Sequence, residues 1–141
     1  MTMKTFDFRL AKVLDYRRLV EEWAKDAYLD ARSARLEAEV VMLGIRQQRH
    51  ALFLETATTI EDLQTQELLF NAIDERESTQ QIVVNVLLNE EGLALGEWTS
   101  KRRDVAVLEK LHDKAFEEWS KEMSREEQAF LDEWTSGRRA A

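Results

Sequence analysis

Steps of alternately three and four residues from Leu10 pass through Val13, Arg17, Val20, Ala24, Ala27, Ala31, Ala34, Ala38, Val41, Ile45, Gln48 and Leu52. Apart from Arg17 and Gln48, every one of these positions is apolar. A heptad pattern held for about six repeats predicts a supercoiled helix over residues 8–54, rather than a helix of a globular core. At about 1.5 Å per residue such a helix spans about 70 Å. Its seam is mostly alanine between Ala24 and Ala38, and each alanine buries about 1 to 2 kcal/mol less than a leucine would. The predicted rod is therefore thin and of moderate stability.

The stripe lapses over residues 55–59, where Thr56, Ala57, Thr58 and Thr59 include the hydroxyl side chains that favour caps and turns. This predicts the reversal. Thr59 followed by Asp62 has the spacing of a capping box, and Ile60, Leu63, Phe70 and Ile73 start a new apolar stripe, a middle helix over 60–76. The β-branched run from Gln81 would suit a strand, but no partner strand exists elsewhere, so it reads as part of a returning helix over 78–135, loosened near Gly92 and Gly96. Trp98, Val105, Leu108, His112, Ala115, Trp119, Met123, Phe130 and Trp134 mark that helix. From Leu108 on, their steps are closer to an eleven-residue repeat than to seven. The predicted fold is all-α. It is a long antiparallel two-helix coiled-coil hairpin in one domain, with a short middle helix as its variant, a short C-terminal tail and both chain ends at one tip.

Composition narrows the function. The 141 residues hold 28 acidic and 20 basic side chains, a net charge of −8, with no Pro, no Cys and four Gly. An acidic chain is a poor nucleic-acid binder, because that affinity rests on phosphate neutralisation. The absence of cysteine removes disulfides and thiolate metal sites. Lys4, Asp7 and Arg9 interrupt the apolar core that a signal peptide needs. The longest apolar run, residues 82–88, is broken by Asn85 and is far below the roughly 20 residues of a membrane span. The expectation is a soluble, cytoplasmic protein with at most peripheral membrane association.

Chemistry is sparse. Glu109 and His112 have the E-x-x-H spacing of di-iron bundles, but His50 lacks a matching glutamate, so no metal site is expected. Gly92 and Gly96 form G-x-x-x-G outside the membrane context that gives it meaning. Carboxylate pairs such as Glu21 with Glu22 belong to solvated faces, with nothing to desolvate them for acid–base work. No enzymatic activity and no cofactor are expected. Phe6, Phe8, Trp23, Tyr28, Trp119 and Trp134 are large for a two-helix rod. They either pack at the seam or anchor a partner.

The terminal segments add a resemblance. "FDFRLAKVLDYRRLVEE" (Phe6 to Glu22) resembles the opening F-x-F-x-L-x-x-V-L-x-x-R pattern of the flagellar type III export protein FliJ family. "VAVLEKLHDKAFEEWSKEMSREEQAFLDEW" (Val105 to Trp134) is similar to the family's carboxyl-terminal signature. There Leu108, Glu109, Lys110 and Leu111 lead through Trp119, Glu122, Glu127 and Gln128 to Asp132 and Glu133. The resemblance implies a non-catalytic antiparallel coiled coil, similar to the central shaft of rotary ATPases. It further implies a place in the pore of the hexameric flagellar export ATPase, a link to the membrane-embedded export gate, and partnership with flagellar export chaperones at the cytoplasmic face of the flagellar base.

Under this resemblance, Lys4 to Arg18 carries five basic and two acidic residues, a local +3 suited to steering onto an acidic ring. Phe6, Phe8, Arg9, Lys12, Arg17, Arg18, Trp119 and Trp134 are the candidates for the ATPase contact. Phe53, Phe70 and Ile73, by position alone, are the candidates for the gate. The alternatives are the stalk of a related injectisome and a generic homodimeric coiled coil.

Overall fold

A computed structural model describes residues 4–140 as two helices, α1 (Ala11–Leu54) and α2 (Ile60–Ala140), with no strand among the described residues. α1 starts three residues later than the pattern predicts. Residues 4–8 are non-helical, and Ala11 N donates to Phe8 O at 3.0 Å as the first turn closes. In place of a separate middle helix, residues 60–76 form the first part of α2, which continues unbroken to Ala140. The absence of proline allows this, since nothing removes an intrahelical donor along the way.

The helices pair through heptads, but the seam of α1 differs from the expected one in half of its positions. Leu10, Arg17, Ala24, Ala31, Ala38, Ile45 and Leu52 are buried or half-buried, as the pattern requires. Between them Leu14, Glu21, Tyr28, Arg35, Met42 and Arg49, each one residue beyond the position first read, are buried or half-buried; of the positions first read, Val20 and Ala34 are half-buried as well, while Val13, Ala27, Val41 and Gln48 are exposed. Val13 and Val41 remain 43% and 51% exposed, which places them on the flank. α2 answers with an unbroken four-three alternation of inward positions from Gln66 through Ile73, Val84, Glu91, Trp98, Val105 and His112 to Trp119. The expected departure toward an eleven-residue repeat shows only at the end of the packed part, where Ala115, Trp119 and the half-buried Met123 are separated by two successive steps of four. From Ser124 to Arg138 the side chains are exposed, with Lys4 reaching Glu126 at 3.8 Å.

The chain divides into two compact units. The first comprises residues up to Glu22 and from Ser100 onward. Its core holds Leu14 and Val105, 4% and 6% exposed, and a group of aromatic rings described below. The second, Trp23–Thr99, contains a cluster of Ile45, Leu52 and Ile73 with Phe70 packed against it. It also contains two polar layers within the seam. Arg35 donates from Nε and Nη2 to Glu91, the latter bond at 3.3 Å, and from Nη1 to Glu39 at 3.0 Å. Arg49 bridges Asp74 and Glu77, reaching the latter at 2.7 Å. Tyr28 stacks on Trp98 with centroids 5.5 Å apart.

Gly92 and Gly96 produce no break in α2. A methyl group at either would meet nothing within 4 Å, and no described glycine has a positive φ. Gly92→Ala and Gly96→Ala are each expected to raise stability by about 1 kcal/mol, through helix propensity and a less flexible unfolded chain. Thermal melts of the two variants check this; a lower Tm would mean that the bare backbone there is in use.

Candidate binding surfaces

In the first unit the opening aromatics turn inward. Phe6 meets His112 and Phe116 edge-on at 5.4 and 5.2 Å and lies tilted on Trp119 at 5.7 Å, while Phe8 meets His112 edge-on at 5.2 Å. Edge-to-face geometry at these separations is the favourable one for aromatic quadrupoles. The rings thus hold residues 4–8 against α2, and both Phe6 and Phe8 are half-buried. His112 Nδ1 lies 3.2 Å from Asp113 Oδ1. Glu109, its partner in the E-x-x-H spacing, is taken by Arg18.

The basic residues of this end separate into two groups. Arg17 pairs with Asp104 at 3.5 Å, Arg18 with Glu109 at 3.4 Å, and Lys4 with Glu126 at 3.8 Å. All are surface pairs, worth at most about 1 kcal/mol each. Arg9 and Lys12 are exposed and form no ion pair among the described residues. The local +3 read from the sequence is therefore balanced by the returning helix. The first unit carries 14 acidic and 14 basic residues, whereas Trp23–Thr99 carries 14 acidic and six basic. The whole charge of −8 belongs to the second unit.

Trp119 is half-buried in the aromatic group. Trp134 is 55% exposed, with the Arg138 guanidinium 4.6 Å from its ring centre. The three residues expected at the turn are separated by burial. Phe53 is 74% exposed, Phe70 is half-buried against the core cluster, and Ile73 is 9% exposed inside it. Ile73 is thus a packing residue, because the heptad of α2 carries it into the seam.

The turn is tightly bonded. Asp62 N donates to Thr59 Oγ1 at 3.0 Å, and the Asp62 carboxylate accepts from Thr58 Oγ1 at 3.0 Å and Thr58 N at 3.3 Å. These bonds, the Thr58 hydroxyl first, hold the Asp62 carboxyl below its usual pKa. Gln66 Nε2 donates to Glu55 O at 3.0 Å across the turn. Sequence reading located this cap, but Ile60 and Leu63, which it placed at the start of an apolar stripe, are exposed because the inward positions of α2 begin only at Gln66, and it passed over the exposed Leu54. It also passed over the Arg35–Glu91 and Arg49–Glu77 layers, whose signal was present. Arg35 and Arg49 are fourteen residues apart, as are Glu77 and Glu91.

Two long helices paired through heptads define the chain as a helical hairpin. The family model described as Flagellar FliJ protein matches residues 6–140, and the chain belongs to that family. It is accordingly an export-related component of the flagellum. Comparison with curated proteins and with solved structures gave no match. Among the described residues no helix is long and apolar enough to cross a membrane.

Proposed function

We propose that the chain is the central stalk of the flagellar export apparatus: it enters the hexameric export ATPase by the end bearing its termini, stimulates ATP turnover, and connects the ring to the export gate and to substrate chaperones, without chemistry of its own. The observation that carries this reading is the character of the first unit. It is net neutral, Lys4, Arg17 and Arg18 are paired with α2, and its proposed contact groups are Arg9, Lys12 and the exposed stretch of α2 up to Arg138 with Trp134. Arg17 and Arg18 support the contact indirectly by fixing α1 on α2, as Phe6, Phe8 and Trp119 do through ring packing. Phe53 is the residue for the gate-side contact.

The test is ATP turnover by the cognate export ATPase with and without the full chain, with ring formation followed by size. Stimulation accompanied by hexamer assembly is expected. Arg9→Glu with Lys12→Glu should reduce the stimulation several-fold and steepen its loss with salt, with helicity unchanged. Stimulation that is indifferent to this pair and to Trp134→Ala would remove the proposed contact.

A further inference from the structure

Around the turn of the second unit, Phe53, Leu54, Ile60 and Leu63 are 74%, 67%, 75% and 57% exposed. Ile60 and Phe53 are the two most exposed large apolar side chains among the described residues. Isolated exposed leucines are ordinary, and residues 36–43 and 82–88 also carry four exposed large apolar groups each, but the turn joins the two most exposed of all to Leu54 and Leu63, an apolar cluster of the kind that marks an interaction site. They are mounted on a turn fixed by the Thr58, Thr59, Asp62 and Gln66 bonds. The backbone beneath them is preorganised, and a partner need not supply its ordering entropy.

The surroundings select the occupant. From Phe53 to Leu68 there are four acidic residues, Glu55, Glu61, Asp62 and Glu67, and no Lys or Arg. Glu55, Glu61 and Glu67 form no ion pair among the described residues. A second copy would bring the same acidic rim and the −8 of its own Trp23–Thr99, so copies meeting turn to turn repel one another. An anionic bilayer is disfavoured by the same sign of charge. What complements an apolar centre with an acidic rim is an apolar centre with a basic rim.

We infer that the turn over residues 53–63 is a docking face for a cationic amphipathic segment of a partner protein, with Phe53 and Ile60 as anchors and Glu61 and Glu67 as the charged rim. The inference gives the chemistry of the proposed gate-side contact and rests on that reading.

The test uses the full chain, isotope-labelled, and three synthetic 14-residue peptides. One carries leucines at helical spacing with lysines between; one has glutamates for the lysines; one has serines for the leucines. The leucine–lysine peptide should bind and shift the amides of residues 53–68. Binding should weaken at least tenfold in Phe53→Ser/Ile60→Ser and about threefold in Glu61→Gln/Glu67→Gln, with melting unchanged because all four side chains are exposed. A chain that fails to stimulate the ATPase yet binds this peptide at its turn supports the inference and removes only the ATPase reading. Equal binding by the glutamate or serine peptide, shifts elsewhere, or indifference to Phe53→Ser/Ile60→Ser would overturn the inference. So would a wild-type dimer in sedimentation, or attachment to anionic vesicles, that this double variant abolishes.

Discussion

Ile45→Ala should destabilise the chain by about 3 kcal/mol, the middle of the range for deleting buried aliphatic side chains. For a chain of this length that is a fall of roughly 10 °C in Tm. Ile45 is 4% exposed and belongs to the cluster with Leu52 and Ile73. A two-layer helix pair has no second shell of core residues to close over the space left behind. Of the three buried positions further up α1 in the second unit, two, Ala24 and Ala38, are already small, so much of the aliphatic stabilisation of that unit lies toward its turn. Ile45→Val, removing one methylene, should cost about 1 kcal/mol. A thermal or denaturant melt measures both; a loss below about 1 kcal/mol for Ile45→Ala would mean that the cluster is not where the pair is held.

The Arg35–Glu91 layer leads to a larger asymmetry. Both side chains are mostly out of water, 17% and 14% exposed, and Arg35 is held above its usual pKa, chiefly by the Glu91 hydrogen bonds. Glu91→Leu strands the guanidinium with Glu39 alone. Removing one member of an enclosed ion pair costs far more than replacing both. Glu91→Leu is therefore expected to lower Tm by at least 5 °C, and Arg35→Leu/Glu91→Leu to recover most or all of it. The double variant should nevertheless lose uniqueness. Moving α1 along α2 by one heptad sets Arg35 against Val84 or Trp98 and Arg49 against Phe70 or Val84, so the arginines penalise misregister in a way leucines do not. A crosslink between cysteines introduced at 38 and 87 reads register directly. A single product from the double variant as well as the wild type would show that the polar layer does not specify pairing.

Much of this architecture was legible in the chain. The two helices, the reversal at 55–59 and the Thr59–Asp62 cap follow from local chemistry, and the family follows from motifs at the two ends. Half of the α1 seam was legible too, because Leu10, Ala24, Ala31, Ala38, Ile45 and Leu52 are apolar and do face inward. The other half was hidden by what α2 supplies. Val13, Val20, Ala27, Ala34 and Val41 outrank Glu21, Arg35 and Arg49 on any hydrophobicity scale, yet a glutamate some fifty residues away in sequence makes Arg35 an acceptable interior residue. One strip of sequence carries no information about the side chain opposite. The same reason explains the opening segment. Phe6 and Phe8 read as anchors for a foreign surface until His112, Phe116 and Trp119 are set beside them, and the basic run reads as +3 until Asp104, Glu109 and Glu126 are counted.

The division of charge between the units has a consequence for enclosure. Burying a charged body in a narrow, poorly hydrated space is opposed by the loss of its hydration, and the opposition grows steeply with net charge. The first unit has as many cations as anions, so it can act as an electroneutral plug. Trp23–Thr99 carries the whole net charge of the molecule. A host that closes around the plug need not neutralise it, and the charged remainder resists being drawn in after it. Under the proposed stalk role, this difference in charge predicts that the first unit is enclosed in preference to the second.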